Sequence, residues 1–350
     1  MRSYDSHADR PRVLFLGKPK FSGGGIEENQ KYFNVDILDA STRTELLAKL
    51  PHAIATRGPY HAVVCRLGTQ PFEPFDAELL SPLLPQLKIV VSAQMGFNDF
   101  DVSWMTSQGI WFCNTRHATG EATADMALFL ILAVLRDTSR AEKNFREGRW
   151  RQGLELTRDP AGLTLGIVGM GNIGRCLARK AAAFNMRIRY YNRSRIPAEK
   201  IPAGASYCGT LEELLQTSDI ISLHCPLTPG TTHLMSEAEF GMMKENSYIV
   251  NTSRGPIIED EALIAALESG KIARAGLDVF GGEPAGIHPY FMQSDKVVVQ
   301  PHMGGLTQGS FAKAEQECFA NMRSYFATGR PLAPVNEVRF RKDSFEPESE

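Results

Sequence analysis

The sequence predicts an α/β protein of two doubly wound parallel-sheet domains. Three observations carry this reading. Short, continuous apolar runs recur along the chain between helix-like stretches; the alternation lapses after residue 113 and restarts at 164; and the restart is a strand, a glycine turn and a helix, "TLGIVGMGNIGR" (164–175). Uninterrupted apolar runs of strand length suit strands buried on both faces, the condition of a parallel sheet covered by helices. A chain of 350 residues is long for one core and suits two domains.

In the first block the strands are "VLFLG" (13–17), "AVVC" (62–65), "KIVVS" (88–92) and "IWFC" (110–113). A helical stretch follows from Glu121 to Glu147, with Glu121 and Asp125 near its N-terminus, where the helix dipole favours acids. Its segment "MALFLILAVL" (126–135) is apolar on every side, which predicts burial on more than one face, at a domain junction or a dimer interface. The stretch 148–162 reads as a connection.

The second block has strands at 164–168, 187–191, 219–224, 247–251, 274–280 and 296–301, separated by helical stretches such as "NIGRCLARKAAAF" and "DEALIAALESGK". This is the βαβ rhythm of a doubly wound sheet. After His302 one more amphipathic helix places Phe311, Ala314, Cys318, Met322 and Phe326 on one face, and Gly329 and Pro331 stop it. This last helix is expected to pack back onto the first block.

Composition narrows the function. The chain is 43% hydrophobic and 22% charged with a formal net charge of −2, so no basic surplus points to nucleic acid or an anionic membrane. The N-terminal segment is polar without an apolar signal core, and the longest apolar run, ten residues, is too short to span a bilayer. Cysteines at 65, 113, 176, 208, 225 and 318 have neither zinc-clip nor CxxC spacing, and the histidines have no metal spacing. A cytoplasmic protein with reduced thiols and no bound metal is expected.

Gly169, Gly171 and Gly174 form G-x-G-x-x-G between a strand and a helix. The first glycine permits the turn, the second lets a pyrophosphate approach the backbone, and the third lets the helix pack on the strand. Asn172, Ile173 and Gly174 then open a helix whose N–H groups face the phosphates. A dinucleotide cofactor is expected. At the end of the next strand, where an NAD site carries an acid for the ribose hydroxyls, stands Asn192, followed by Arg193, Ser194 and Arg195. This turn is either a solvated surface turn or a site for a 2′-phosphate; its charge favours the phosphate, hence NADP(H) over the weaker alternative NAD(H).

Further stretches complete a pattern: "NTSRGPIIEDEALIAALESGKIARAGLDVFGGEP" (251–284), "QPHMGG" (300–305), "HCPLTPGTTHL" (224–234), "NTRHATGEATADMAL" and "AQMGFNDFDV". With the glycine motif they closely resemble the D-isomer specific 2-hydroxyacid dehydrogenase family, over nearly the whole chain. The resemblance implies a flavodoxin-like substrate domain, residues 1–118 and 305–350, into which a Rossmann cofactor domain, 119–304, is inserted, with the cofactor in the cleft between them. It implies reduction of a 2-keto acid, and a homodimer.

It also carries a catalytic set by position: Arg254 in "NTSRG", Glu283 in "GGEP" and His302 in "QPHMGG". The chemistry suits these types. Arg254 can fork to the carboxylate and ketone of a 2-keto acid, His302 can protonate the alkoxide that hydride addition creates, and Glu283 would orient the imidazole and favour its charged form. Cofactor contacts implied by the resemblance are Thr123, Cys225, Pro226, Thr231, Thr252, Ser253, Asp278, His302, Gly304 and Gly305, with Asp278 on the nicotinamide amide. The substrate carboxylate would lie on the turn Gln94, Met95 and Gly96, opposite Leu67, with Arg254 and His302. Gln94 stands where the family often has glycine and Asn98 where it often has Asp. Leu67, Gln94, Met95 and Phe97 either shape a pocket for a larger 2-keto acid or face the core. Together these features predict an NADPH-preferring 2-keto acid reductase. The alternatives are a glyoxylate/hydroxypyruvate reductase using the same residues, and a dinucleotide-sensing corepressor-like interaction protein.

Overall fold

A computed structural model describes residues 10–18, 25–66 and 70–338. They divide into two compact units, the described residues of Met1–Thr119 with Gln308–Glu350, and Gly120–Thr307. The first unit opens with β1 (Arg12–Leu16), α1 (Gly25–Asn29), β2 (Asn34–Leu38), α2 (Arg43–Arg57) and β3 (Ala62–Cys65), then α3 (Ala77–Leu80), β4 (Ile89–Ser92), α4 (Val102–Ser107) and β5 (Trp111–Cys113). Its strands pair in parallel in the order β2-β1-β3-β4-β5. That is the flavodoxin-like winding, in which the chain reverses direction across the sheet between β1 and β3.

The second unit opens with two helices, α5 (Gly120–Leu135) and α6 (Thr138–Arg146). The sheet then begins with β6 (Thr164–Val168), α7 (Asn172–Ala182), β7 (Arg187–Tyr191) and β8 (Ala205–Tyr207). It continues with α8 (Leu211–Thr217), β9 (Ile220–Leu223), α9 (Glu237–Met242), β10 (Ser247–Asn251), α10 (Asp260–Ser269), β11 (Ile272–Leu277), α11 (Pro289–Gln293) and β12 (Val297–Val299). The seven strands are parallel in the order β12-β11-β10-β9-β6-β7-β8. The chain runs outward from β6 through β7 to β8, then returns to β9 beside β6. Ligands of such sheets bind beyond the carboxyl ends of the two strands flanking this reversal.

The last helix, α12 (Gln308–Thr328), belongs to the first unit. Phe311, Ala314, Cys318 and Met322 are buried and Phe326 half-buried in one cluster with Val13, Phe15, Phe33, Val64 and Val91. Gly329 ends the helix at φ 80°, its N–H donating to the Tyr325 carbonyl at 2.7 Å. A left-handed residue there is nearly free of strain only for glycine.

Two strands are absent from the sequence reading, β2 and β8. Both lie at sheet edges and are mostly half-exposed, so neither shows a continuous apolar run. The stretch 121–147 is two helices rather than one. The break falls at Asp137, whose φ is 51° and which is only 4% exposed. Its carboxylate meets Arg274 Nε on β11 at 2.8 Å and Arg140 Nη2 on α6 at 2.6 Å. The all-round apolarity of 126–135 also has a local explanation, since α5 packs on one side against α7 and on the other against β10 and β11. Its outward residue Phe129 is 49% exposed.

The described residues include all six cysteines; each thiol is free, and all but Cys225 are buried. Among the described residues no helix is long and apolar enough to cross a membrane. Trp111 packs in the core, whereas Trp150 is 65% exposed beneath the Arg151 guanidinium.

Removing the charge of Asp137 while keeping a residue that tolerates its backbone tests whether this pair joins α5, α6 and the sheet. Asp137→Asn is expected to cost about 3 kcal/mol, because Arg274 is left half-desolvated without its anion. A urea-unfolding midpoint equal to wild type would show the pair to be dispensable.

Candidate active site

The glycine loop shows why two of its glycines are needed and leaves space at the third. Gly169 has φ 102°, and a Cβ there would lie 2.8 Å from the Cys225 nitrogen and the His224 carbonyl carbon. The loops after β6 and β9 therefore abut with no room for a side chain. Gly174 would place a Cβ 2.4 Å from the Gly169 carbonyl oxygen, so α7 rests directly on the loop. A Cβ on the exposed Gly171 would meet nothing within 4 Å. No side chain caps α7, so its first-turn N–H groups lack intrahelical partners. An open backbone in front of an uncapped helix N-terminus fits a pyrophosphate.

The turn after β7 is tied to this loop. Asn192 Oδ1 accepts the Met170 N–H at 2.7 Å, and the Gly169 N–H donates to the Tyr191 carbonyl at 3.0 Å. Arg193, Ser194 and Arg195 are exposed. Arg193 lies within electrostatic reach of the Cys225 thiol, which burial pushes up to about 11 and which the guanidinium pulls the other way.

Three loops of the same unit bring Arg254, Glu283 and His302 together. The first is an Asx-type turn at the end of β10. Fully buried Asn251 accepts the Ser253 N–H at 3.0 Å and donates to the Arg254 carbonyl at 2.9 Å. A Cβ at Gly255 would lie 1.9 Å from the Phe280 carbonyl carbon, so the backbone after Arg254 presses against the loop that carries Glu283. Glu283 Oε2 accepts the Phe280 N–H at 3.0 Å and Oε1 lies 2.6 Å from His302 Nδ1. Burial alone would raise the Glu283 carboxyl pKa. The His302 hydrogen bond and charge, the Phe280 N–H and the Arg254 charge outweigh it and hold the carboxyl below its usual range. A carboxylate accepts only, so Nδ1 is the donor and Nε2 is left for another partner.

Asp278 builds the third loop. It is 1% exposed, and its two oxygens accept the N–H groups of Met303 at 2.7 Å and Gly304 at 2.8 Å, while its carbonyl accepts the His302 N–H at 2.8 Å. Burial raises its pKa and these two N–H groups work against the rise. His302 itself sits at φ 54°, a left-handed conformation that a non-glycine residue holds only when neighbours fix it. The three bonds to Asp278 do so. A Cβ at Gly304 would come within 2.8 Å of Asp278 Oδ2, so glycine is needed for the clamp to close.

The D-isomer specific 2-hydroxyacid dehydrogenase NAD-binding domain matches residues 128–304. A dehydrogenase of Hormonema carpetanum is 55% identical over 333 residues, 95% of this chain and 83% of its own length. The 4-methyl-2-oxopentanoate reductase A of Aspergillus oryzae is 40% identical over 333 residues, 94% of this chain and 99% of that protein. The chain belongs to the D-isomer specific 2-hydroxyacid dehydrogenases. Among solved structures, holo D-mandelate dehydrogenase of Rhodotorula graminis matches this dehydrogenase with a TM-score of 0.86 at 35% identity, covering 94% of this chain and 99% of that one.

The other predicted residues of the dehydrogenase fall in several settings. Ser253 Oγ donates to the Cys225 carbonyl, which joins the Arg254 turn to the loop after β9. Thr252 is buried, and its hydroxyl has no partner among the described residues. Thr123 on α5 is buried beside Gly304. Pro226 is exposed and Gly305 half-buried. The Thr231 hydroxyl is committed to its own turn, donating to the Pro226 carbonyl at 2.6 Å and accepting the Thr228 N–H at 2.8 Å. His224 bonds Ser222 through Nε2 at 2.8 Å, and burial lowers its pKa to about 4, which keeps the ring neutral.

In the first unit, the carbonyls of Ala93, Gln94 and Met95 are each held by a donor from Asn114 or Thr115, and Ser92 Oγ accepts the Gln94 N–H. Gln94, Met95 and Gly96 are half-buried and Phe97 is 41% exposed, so this turn does not face the core. Leu67 lies outside the described residues. The positioning contacts of Asn251 and Tyr207 went unread in the sequence. Asn-x-Ser directly after a buried strand is an Asx-turn signal that would have found the first.

Proposed function

We propose that the enzyme reduces a 2-keto acid to the D-2-hydroxy acid with NADPH. The observation that carries the chemistry is the 2.6 Å bond from His302 Nδ1 to a Glu283 carboxylate whose other oxygen is already fixed, beside Arg254. The reduced nicotinamide supplies hydride to the keto carbon. Gly169 to Gly174 hold the pyrophosphate, and the turn Asn192 to Arg195 receives the 2′-phosphate. Asn192 has no charge to repel that group, and Arg193 and Arg195 attract it. Arg254 binds the substrate carboxylate and the ketone oxygen with two forked donors. His302 donates the Nε2 proton to the alkoxide oxygen, and Glu283 keeps the ring oriented through Nδ1. Asp278 acts through the turn it clamps.

The substrate is a 2-keto acid with a branched or aromatic side chain. Two relatives support this, one named for 4-methyl-2-oxopentanoate and one for D-mandelate. So do Met95 and Phe97, bulky side chains left outside the core. The enzyme pairs as a homodimer through apolar groups left exposed on the second unit, Phe129, Phe145 (67%), Trp150 (65%) and Leu156. Sedimentation equilibrium at micromolar concentration is expected to give twice the chain mass; a monomer removes this assignment.

The deciding experiment is initial-rate reduction of a 2-keto acid panel, glyoxylate and hydroxypyruvate included, with NADPH and NADH. The highest kcat/KM is expected for 4-methyl-2-oxopentanoate or phenylglyoxylate with NADPH. Preference for glyoxylate, equal use of NADH, or negligible turnover with tight dinucleotide binding would each overturn the corresponding part.

Two variants separate the catalytic roles. Arg254→Lys loses the fork and is expected to lower kcat/KM about a hundredfold, near 3 kcal/mol, without weakening NADPH. Glu283→Gln takes away the carboxylate that accepts from His302 Nδ1, so the ring is no longer held in place as a proton donor, and kcat/KM is expected to fall at least about tenfold with NADPH binding unchanged. An unchanged kcat/KM would show that Glu283 does not act on the proton donor.

A further inference from the structure

The side chains assigned above to the 2′-phosphate are exposed, and an exposed arginine contributes little to binding unless something holds it. Two of the contacts that hold this turn come from Tyr207 on β8. Its hydroxyl donates to the Asn192 carbonyl at 3.3 Å, and the Arg195 guanidinium lies over its ring, 5.6 Å from the centroid. Tyr207 in turn rests against fully buried Tyr190 of β7, with ring centroids 5.4 Å apart. From the other side, Asn192 Oδ1 is fixed by the Met170 N–H. The turn is therefore suspended between the glycine loop and Tyr207. Arg193 lies towards the glycine-loop side, near Cys225, and Arg195 towards β8.

We propose that Tyr207 is a positioning residue for cofactor selection, holding Arg195 and the Asn192 backbone in the arrangement that grips a phosphorylated adenine ribose. A guanidinium held over an aromatic face keeps N–H groups available for a phosphate and loses less freedom when the phosphate arrives. A cofactor without the 2′-phosphate gains nothing from this arrangement. Tyr207 thus acts on selectivity and not on the chemical step. The inference rests on the reading that the turn 192–195 receives the 2′-phosphate.

Calorimetric titration of the full chain with NADP⁺, NAD⁺, 2′,5′-ADP and 5′-AMP tests it without turnover. Wild type is expected to bind NADP⁺ more tightly than NAD⁺. Tyr207→Leu is expected to weaken NADP⁺ and 2′,5′-ADP about tenfold, from loss of the ring and the hydroxyl, and to leave NAD⁺ and 5′-AMP unchanged. Tyr207→Phe keeps the ring and is expected to weaken NADP⁺ about threefold. In an Arg195→Ala background, Tyr207→Leu should cost NADP⁺ no more than Tyr207→Phe does alone. Equal weakening of both dinucleotides would make Tyr207 a general prop and overturn the proposal, as would an unchanged NADP⁺/NAD⁺ ratio. Should the leucine variant not fold, the phenylalanine variant decides by the same ratio. Wild type that binds both dinucleotides equally would instead overturn the assignment of the turn, an outcome read before any variant is made.

Discussion

The site of the second unit depends on one buried carboxylate. Asp278, at the end of β11, gives both oxygens to backbone N–H groups of the loop that follows β12, and its carbonyl to a third. A buried acid without such partners would be costly, and a histidine at positive φ without such fixing would relax. Each problem solves the other. The strained residue is held because the acid needs its neighbours' donors, and the acid is tolerated because the loop supplies them. Glu283 then has only to orient a ring whose backbone is already placed.

The same economy governs the glycine loop. Its closest contacts are backbone against backbone, Gly169 against the chain at 224–225 and Gly174 against Gly169 itself, and the turn after β10 meets its neighbour likewise, Gly255 against Phe280. Loops that meet without intervening side chains have few alternative packings, so the ends of β6, β9, β10 and β11 hold one another in register. Selectivity then falls to the few side chains that extend beyond this frame, notably those of the turn after β7.

The legible and illegible parts of the sequence divide along physical lines. Both sheets were legible because strands such as "AVVC" and "SYIVN" are buried on both faces and read as unbroken apolar runs. Edge strands β2 and β8 were not, because one flank is solvated and the pattern dissolves. The glycine motif and the Arg, Glu and His positions were legible because their spacing relative to strand ends is characteristic of the family. What Asp278, Asn251 and Tyr207 do was not, because their partners are backbone groups or residues brought near only by the sheet order. The break at Asp137 was hidden for a related reason: nothing in "VLRDTSR" marks a helix end until Arg274, far along the chain, is placed beside it.

The return of α12 to the first unit has a consequence for how the protein is made. The buried face of that helix covers strands β1, β3 and β4, whose residues are translated about two hundred to three hundred positions earlier. During synthesis the first sheet therefore emerges with one apolar surface uncovered, and it stays so while the whole second unit is translated. The second unit is contiguous in sequence and has no such wait. Every strand of its core is available before α12 is made, whereas the first unit remains an open half-layer until α12 is translated. In that interval the nascent chain is most exposed to aggregation and most in need of a chaperone.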